Sequence, residues 1–335
     1  MNLNRIIKPK KEDTDSYNIC SRGKVDTGTR CNYKCYFCYY KDKLNDDFKD
    51  SEEIKNEIYN MYKNGIKEFD LSGGESSIHP DFLDIIIYAN QFGKVTTLSN
   101  GSMFYDFDFL KQSYISGLRG ILFSLHGYNK ESHNKAVGTD GFDKIFQSIL
   151  NVKKLKKYYD FELRINTTIV DDINPEKYVK LINDLKPDQV NILPLNYWDA
   201  AYKNKKIDYN KISIKIKQII DGLDKDIEIN VRYIPFCFMV GYEQYIVGVY
   251  QHIFDKKDWN IVAYEKKDFI ITKSYMFDKA FENRQNLYYK PNNCNNCRYL
   301  YICDGIESKL EPIVYPVEGD KIKDILYYRN NNEKN

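Results

Sequence analysis

From about residue 24 to residue 200, short apolar runs bounded by turns alternate with stretches of helical period. That alternation restricts the chain to a parallel α/β architecture, because parallel strands need long crossover connections and helices supply them. Strands are expected at Val25–Thr29, Glu68–Ser72, Val95–Ser99, Gly120–His126, Phe161–Val170 and Gln189–Leu195. Between them lie the amphipathic sets Ile54, Ile58, Tyr62; Leu83, Ile86, Ile87; Ile145, Ile149, Val152; and Tyr178, Leu181, Ile182, Leu185. Asn174-Pro175 reads as an N-cap followed by proline at the first helical position. Six such units form either a barrel or an open doubly wound sheet, and periodicity does not choose between them. After Asp208 a helix over Ile212–Leu223 closes this region, and Ile227–Ile234 and Phe269–Tyr275 are expected as strands without the βαβ rhythm. The expected organisation is an N-terminal extension at 1–23, an α/β unit at 24–205 and a smaller α+β domain at 206–335 with a frayed tail from Tyr328 to Asn335.

Cys31, Cys35 and Cys38, with Phe37 before the last, fall just after the first expected strand. Gly73, Gly74 and Glu75 fall just after the second, so both motifs sit at strand carboxyl ends, where parallel α/β folds place their sites. Three thiolates can hold three irons of a four-iron cluster and leave the fourth open, unlike the four-cysteine set of a ferredoxin. A zinc knuckle is the bland alternative. The glycine turn is expected to bring bare backbone against a ligand.

These motifs, Cys31-Asn32-Tyr33-Lys34-Cys35-Tyr36-Phe37-Cys38 and Gly73-Gly74-Glu75, resemble those of the radical S-adenosylmethionine (radical SAM) superfamily. The resemblance implies a partial six-stranded (β/α) barrel and a 4Fe-4S cluster whose open iron is chelated by S-adenosylmethionine. It further implies reductive cleavage of that cofactor to a 5′-deoxyadenosyl radical, which abstracts hydrogen from substrate, and a reducing partner such as flavodoxin or ferredoxin. Phe37, Gly73, Gly74 and Glu75 would border the cofactor, with Glu75 suited to its ammonium group. Ser124, Asn100, Asn166 and Arg164 match positions that contact the cofactor's ribose or carboxylate in related enzymes. Each also has a structural explanation: Asn100-Gly101 is a common turn dipeptide, and Arg164 can pair with a buried carboxylate. Alternation along the fourth and fifth strands points Ser124, His126, Glu162, Arg164, Asn166 and Thr168 inward.

Cys294 and Cys297 form a Cys-x-x-Cys, followed by Cys303 and preceded far upstream by Cys237. Four thiolates satisfy either structural zinc or an iron-sulfur cluster. The pattern is similar to the twitch or SPASM extension of radical SAM enzymes, which implies one auxiliary 4Fe-4S cluster on Cys237, Cys294, Cys297 and Cys303. Cys237, flanked by Pro235, Phe236, Phe238 and Met239, can also be read as a small buried hydrophobe. The eighth cysteine, Cys20, is expected to pack, with donation of a hydrogen atom to a product radical as the alternative.

Fifty basic against forty-eight acidic residues leave a net charge of +2, which does not call for nucleic acid. Thirty tyrosines reflect a chain-wide bias, so aromatic-basic interleaving carries little information. Met1–Lys11 lacks the apolar core of a secretory signal, and no stretch approaches a membrane span. The eight cysteines therefore read as metal ligands in a reducing cytoplasm. No Walker loop, nucleophile elbow or dinucleotide fingerprint is present. The barrel begins by residue 25 without a preceding peptide-recognition domain, which favours a small-molecule substrate such as a sugar or sugar nucleotide, and the auxiliary cluster that the resemblance implies would suit an oxidation. A peptide-modifying maturase and a non-catalytic SAM-binding regulator are the alternatives.

Overall fold

The computed structural model describes residues 18, 20–38, 40, 47–169, 173–195, 208–248, 251–254, 273–307 and 313–330. One parallel sheet curls into a half-barrel with strands in strict chain order. Its members are β1 (Arg22–Asp26), β2 (Glu68–Ser72), β3 (Lys94–Ser99), β4 (Leu118–Ser124), β5 (Glu162–Ile169), β6 (Gln189–Pro194), β7 (Glu228–Arg232) and β8 (Ile246–Val247). The crossovers carry α1 (Ser51–Lys63), α2 (Phe82–Ala89), α3 (Phe107–Ser116), α4 (Lys130–Val137), α5 (Phe142–Lys156), α6 (Pro175–Leu185) and α7 (Tyr209–Gly222). Asp50, Asp106, Asn174 and Asp208 cap α1, α3, α6 and α7 by accepting from first-turn amides, so the helix starts are written in the sequence.

Side-chain alternation sorts the sheet into two faces. Ile121, Phe123, Leu163, Ile165, Val190 and Ile192 are buried in the layer between strands and helices, and the Thr167 hydroxyl of β5 meets the Tyr178 hydroxyl of α6. The opposite, concave face is polar. There Arg164 of β5 reaches across the barrel to Asp70 of β2 (2.9 Å) and Thr96 of β3 (3.0 Å). Beside it Arg22 bonds Glu68 at 2.8 Å, and Glu162 lies 3.0 Å from Lys94 and 3.5 Å from Arg22. Three cations and three anions thus form a paired floor at the amino ends of the strands. The charges on Arg164, Arg22 and Lys94 outweigh the desolvation of Glu162 and hold its carboxyl down at about 2.

Three expectations are corrected. Among the described residues the sheet has eight strands, not six, because Ile227–Ile234 continues the βαβ rhythm: β7 pairs in parallel with β6 through α7, and β8 adds beyond it. The α/β rhythm therefore crosses the boundary expected at 205/206. The first strand is Arg22–Asp26 rather than Val25–Thr29, since Arg22, Lys24 and Asp26 face the polar interior and hide the strand from an apolar-run criterion. Lys273–Tyr275, expected at the end of a strand, begins a helix, while residues 269–272 lie outside the described residues. Most of the N-terminal extension, residues 196–205 and the tail from 331 also lie outside them.

Beyond β8 the elements are short: α8 (Gln251–Phe254), α9 (Lys273–Leu287), the two-residue strands β9 (Tyr288–Tyr289) and β10 (Ile306–Glu307), and α10 (Tyr327–Asn330). Among the described residues there, only α9 exceeds five residues. Phe236, Tyr299 and Tyr328 form an aromatic knot with ring centroids 5.4–6.2 Å apart, which joins this region to the end of the sheet. Among the described residues no helix is long and apolar enough to cross a membrane.

Candidate active site at the mouth of the half-barrel

The loop carrying Cys31, Cys35 and Cys38 emerges from β1 and is clamped from two sides. On one side Gly74 and Glu75 donate main-chain bonds to Gly28 O and Arg30 O, both at 2.9 Å. On the other, Lys34 and Tyr36 donate to the carbonyls of Val137 and Ala136 at the end of α4 (3.1 and 3.4 Å). The glycines are required by this clamp. A Cβ on Gly73, whose φ is +134°, would stand 2.3 Å from Gly28 O, and one on Gly74 would stand 2.1 Å from Arg30 O. The turn's bare backbone therefore packs against the cysteine segment itself.

Glu75 is 3% exposed and its carboxylate is surrounded by donors from its own chain. Oε1 accepts from the Ser77 amide (3.2 Å), the Ser77 hydroxyl (2.5 Å) and the Ser99 hydroxyl (2.8 Å), and Oε2 accepts from the Asn100 amide (2.6 Å). Burial pushes its pKa up while these bonds pull it back. The residue thereby locks the end of β3 to the turn after β2. From there Asn100 Nδ2 donates to Asn32 Oδ1 at 2.8 Å and lies 4.0 Å from Cys31 Sγ, and Asn32 donates to the Ser102 hydroxyl at 2.8 Å. Glutamate, asparagine and cysteine are thus one connected unit.

Burial raises the Cys31 thiol to about 11 and raises Cys35 as well, with the charges of neighbouring cysteines adding to the effect. Thiols held this way give up their protons to a metal rather than to water. Phe37 packs edge-on against Tyr36 (5.3 Å) and His126 (4.7 Å) and roofs the loop beside Ala136 and Leu195. His126 Nδ1 accepts from the Thr168 amide (3.0 Å), and His133 Nδ1 accepts from the His126 amide (3.2 Å). Burial, helped for His126 by the neighbouring His133, lowers their pKa values to about 3 and about 4.

Ser124 and Asn166 are register partners on adjacent strands, both half-buried on the concave face. Arg164 lies one layer lower with its guanidinium paired to Asp70, and the structure puts it in the floor and not at the mouth. Sequence reasoning passed over Lys24, Asp26 and Tyr40. Lys24 donates to the Tyr40 hydroxyl (3.0 Å), Tyr40 donates to Asp26 Oδ2 (2.5 Å), and Asp26 Oδ1 accepts from the Gly28 amide (3.0 Å), which braces the start of the cysteine loop. The charge at every second position of Arg22-Gly23-Lys24-Val25-Asp26 was the available signal.

The remaining cysteines assemble elsewhere. Cys237, Cys294, Cys297 and Cys303 line one cavity with Pro235, Lys290, Leu300, Ile306 and Val314, whose empty space, including the part open to solvent, is about 350 Å³. Burial raises the Cys237 and Cys294 thiols to about 12, and each feels the charge of the others. The Lys290 ammonium, 3% exposed, donates to Leu300 O and faces Cys294 and Cys303. Among the described residues no three His, Cys, Asp or Glu side chains converge on a point suited to one metal ion. Cys20 is 1% exposed and its Sγ accepts from the Arg22 amide (3.4 Å), and none of the eight cysteines forms a disulfide.

A curled parallel half-barrel with a three-cysteine loop after β1 and a glycine-glutamate turn after β2 defines a class, and the sequence profile of the Radical SAM superfamily matches residues 25–192. The chain belongs to the radical SAM superfamily. Curated relatives include proteins named probable GTP 3′,8-cyclase, from Thermoplasma volcanium (23% identity, 61% of each chain) and Saccharolobus islandicus (28% identity, 56% of this chain and 64% of the relative). The matches thus span less than two thirds of those relatives' length. Similar solved structures include Streptococcus suis SuiB bound to its precursor peptide SuiA, with TM-score 0.59 and 14% identity over 87% of this chain and 72% of that one. Methylornithine synthase PylB has TM-score 0.51 and 14% identity over 80% and 82% of the two chains. At these identities the likeness carries the fold.

Proposed function

We propose that this chain is a radical SAM enzyme that carries a 4Fe-4S cluster on Cys31, Cys35 and Cys38 and a second on Cys237, Cys294, Cys297 and Cys303, and that oxidises a small molecule inside the barrel. The single observation that carries the second cluster is the cavity lined by all four C-terminal thiols. Zinc would draw four sulfurs to within about 2.3 Å of one centre, whereas cluster thiolates go to separate irons and surround a larger space. Four thiols bordering one cavity of this size suit a cluster. Residues 236–330 would then act as the auxiliary, twitch-like region.

When bound, S-adenosylmethionine at the open iron supplies a 5′-deoxyadenosyl radical for hydrogen abstraction. The chain does the positioning. Its glycine turn and α4 fix the cysteine loop, Asn100 braces that loop through Asn32 and Ser102, Ser124 and Asn166 offer hydrogen bonds to the cofactor, and the ion-paired floor seals the barrel from below. Glu75 and Arg164, with their partners supplied by the chain, serve as supports. A complete cysteine shell leaves the second cluster no place for substrate, which suits it to accept an electron in an alcohol-to-ketone oxidation. A flavodoxin or ferredoxin in a reducing cytoplasm would supply the first electron. The nucleotide substrate in the curated relatives' name supports a small molecule, while the peptide seen with SuiB belongs to that protein.

Anaerobic reconstitution is expected to yield about eight irons and eight sulfides per chain, and a Cys31, Cys35, Cys38 triple alanine variant about half, with no 5′-deoxyadenosine after dithionite reduction. One equivalent of zinc beside four irons would remove the second cluster. Wild-type protein that never cleaves the cofactor would remove the enzyme.

A further inference from the structure

On the concave face, Ser124, Asn166, Asn191 and Asn230 are direct register partners across β4, β5, β6 and β7. They form one row. Its orientation follows from Arg164, two residues before Asn166, which spans the barrel interior to Asp70 and therefore marks the face on which every second side chain of these strands lies. Val190 and Ile192, flanking Asn191, are buried against the helices.

Asn191 sets this row apart from a structural polar layer. It is 2% exposed, yet its Oδ1 accepts no hydrogen bond among the described residues. A buried amide oxygen without a donor is costly, and such groups in native proteins are ordinarily matched by a ligand or water. The bordering cations are occupied: Arg164 by Asp70 below, and Arg329 at the end of the row by Asn230 Oδ1 (2.9 Å) and Gln244 O (3.3 Å). Arg232, next on the β7 face toward the mouth, is also engaged.

We infer that the amide row, centred on Asn191, is the substrate-binding floor, and that it takes the uncharged, hydroxyl-bearing part of a small molecule of the sugar class. Asn191 and Asn230, amides on neighbouring strands roughly 5 Å apart, can give and take hydrogen bonds from hydroxyls spread around a ring, while Asn166 and Ser124 continue the row to the proposed cofactor contacts. Arg329 meets the row at its β7 end, and among the described residues no cation bonds Asn191 Oδ1, so a polyanion buried against Asn191 would have its desolvation uncompensated. Its end toward β4 lies beside the proposed cofactor contact Ser124, which puts a bound ring within reach of the chemistry. This inference rests on the enzyme reading above and names its substrate class.

Saturation-transfer NMR on the anaerobically reconstituted protein tests it, with neutral methyl hexosides as probes and GTP and triglycine amide as competitors in class. Transfer to at least one hexoside is expected, and its affinity should fall about tenfold in Asn191→Leu, the loss of one buried hydrogen bond. Asn191→Ala repeats the deletion without added bulk, and both variants should keep wild-type iron content and melting temperature, since no protein bond to Oδ1 is lost. The inference is overturned by transfer to GTP or triglycine amide alone, by hexoside binding indifferent to Asn191, by no binding at all, or by weakened S-adenosylmethionine affinity in its place. Cofactor cleavage by the wild-type protein, measured in the same preparation, judges the parent reading separately.

Discussion

The two cysteine sites rest on opposite kinds of support. Cys31, Cys35 and Cys38 are held by a loop whose main chain is bonded to the turn after β2 and the end of α4, over a parallel sheet with a contiguous apolar layer. Cys237, Cys294, Cys297 and Cys303 stand on 3₁₀ turns and two-residue strands around a small aromatic knot. In the first region the fold shapes the site. In the second, the proposed cluster would supply much of the shape, as metals do in small metal-bound domains.

The sharpest way to break this contrast is to withhold the metal. In cluster-free protein, amides of residues 288–307 are expected to lose hydrogen-exchange protection by roughly a hundredfold or more, while β2 to β5 stay protected. Equal protection in both regions would end the distinction. A smaller effect should come from inside the barrel: Arg164→Met strands the Asp70 carboxylate in the floor and is expected to cost about 3–5 kcal/mol in urea unfolding. Adding Asp70→Leu should restore most of that loss, because a paired charge site and an apolar one are close in stability.

Acid provides the gentlest probe. His126 and His133 remain neutral in the fold down to about 3 and about 4, so between pH 6.5 and those values the unfolded chain binds more protons and stability falls as pH falls. At pH 5 the loss should be about 2 kcal/mol for each ring, and a His126→Gln, His133→Gln double variant should flatten the slope. The effect belongs to the barrel, and exchange protection confined to residues 288–307 should not follow it.

The same division explains what could be read from sequence. β2 lies where its apolar run placed it, and Asn174-Pro175 starts α6 as capping chemistry requires. Local rules sufficed there. β1 was displaced by three residues because its inward side chains are charged, and β7 was expected outside the βαβ rhythm because strand pairing is a long-range choice that no local pattern encodes. The motif residues were legible as a set, but two of Glu75's partners, Ser99 and Asn100, lie beyond the β2–β3 crossover and meet it only once those strands lie side by side. Lys290 faces its cavity through a fold with almost no regular periodicity, and nothing near it in the chain announced that.

Because main-chain bonds grip the first cysteine loop from both flanks, its three sulfurs are staged by folding before any iron arrives. Assembly there resembles loading a preset mould, with little backbone order left to impose. Iron lost from the proposed cluster to oxygen would then be replaced without the barrel passing through an unfolded state, a repair cycle useful to any catalyst whose metal is air-sensitive.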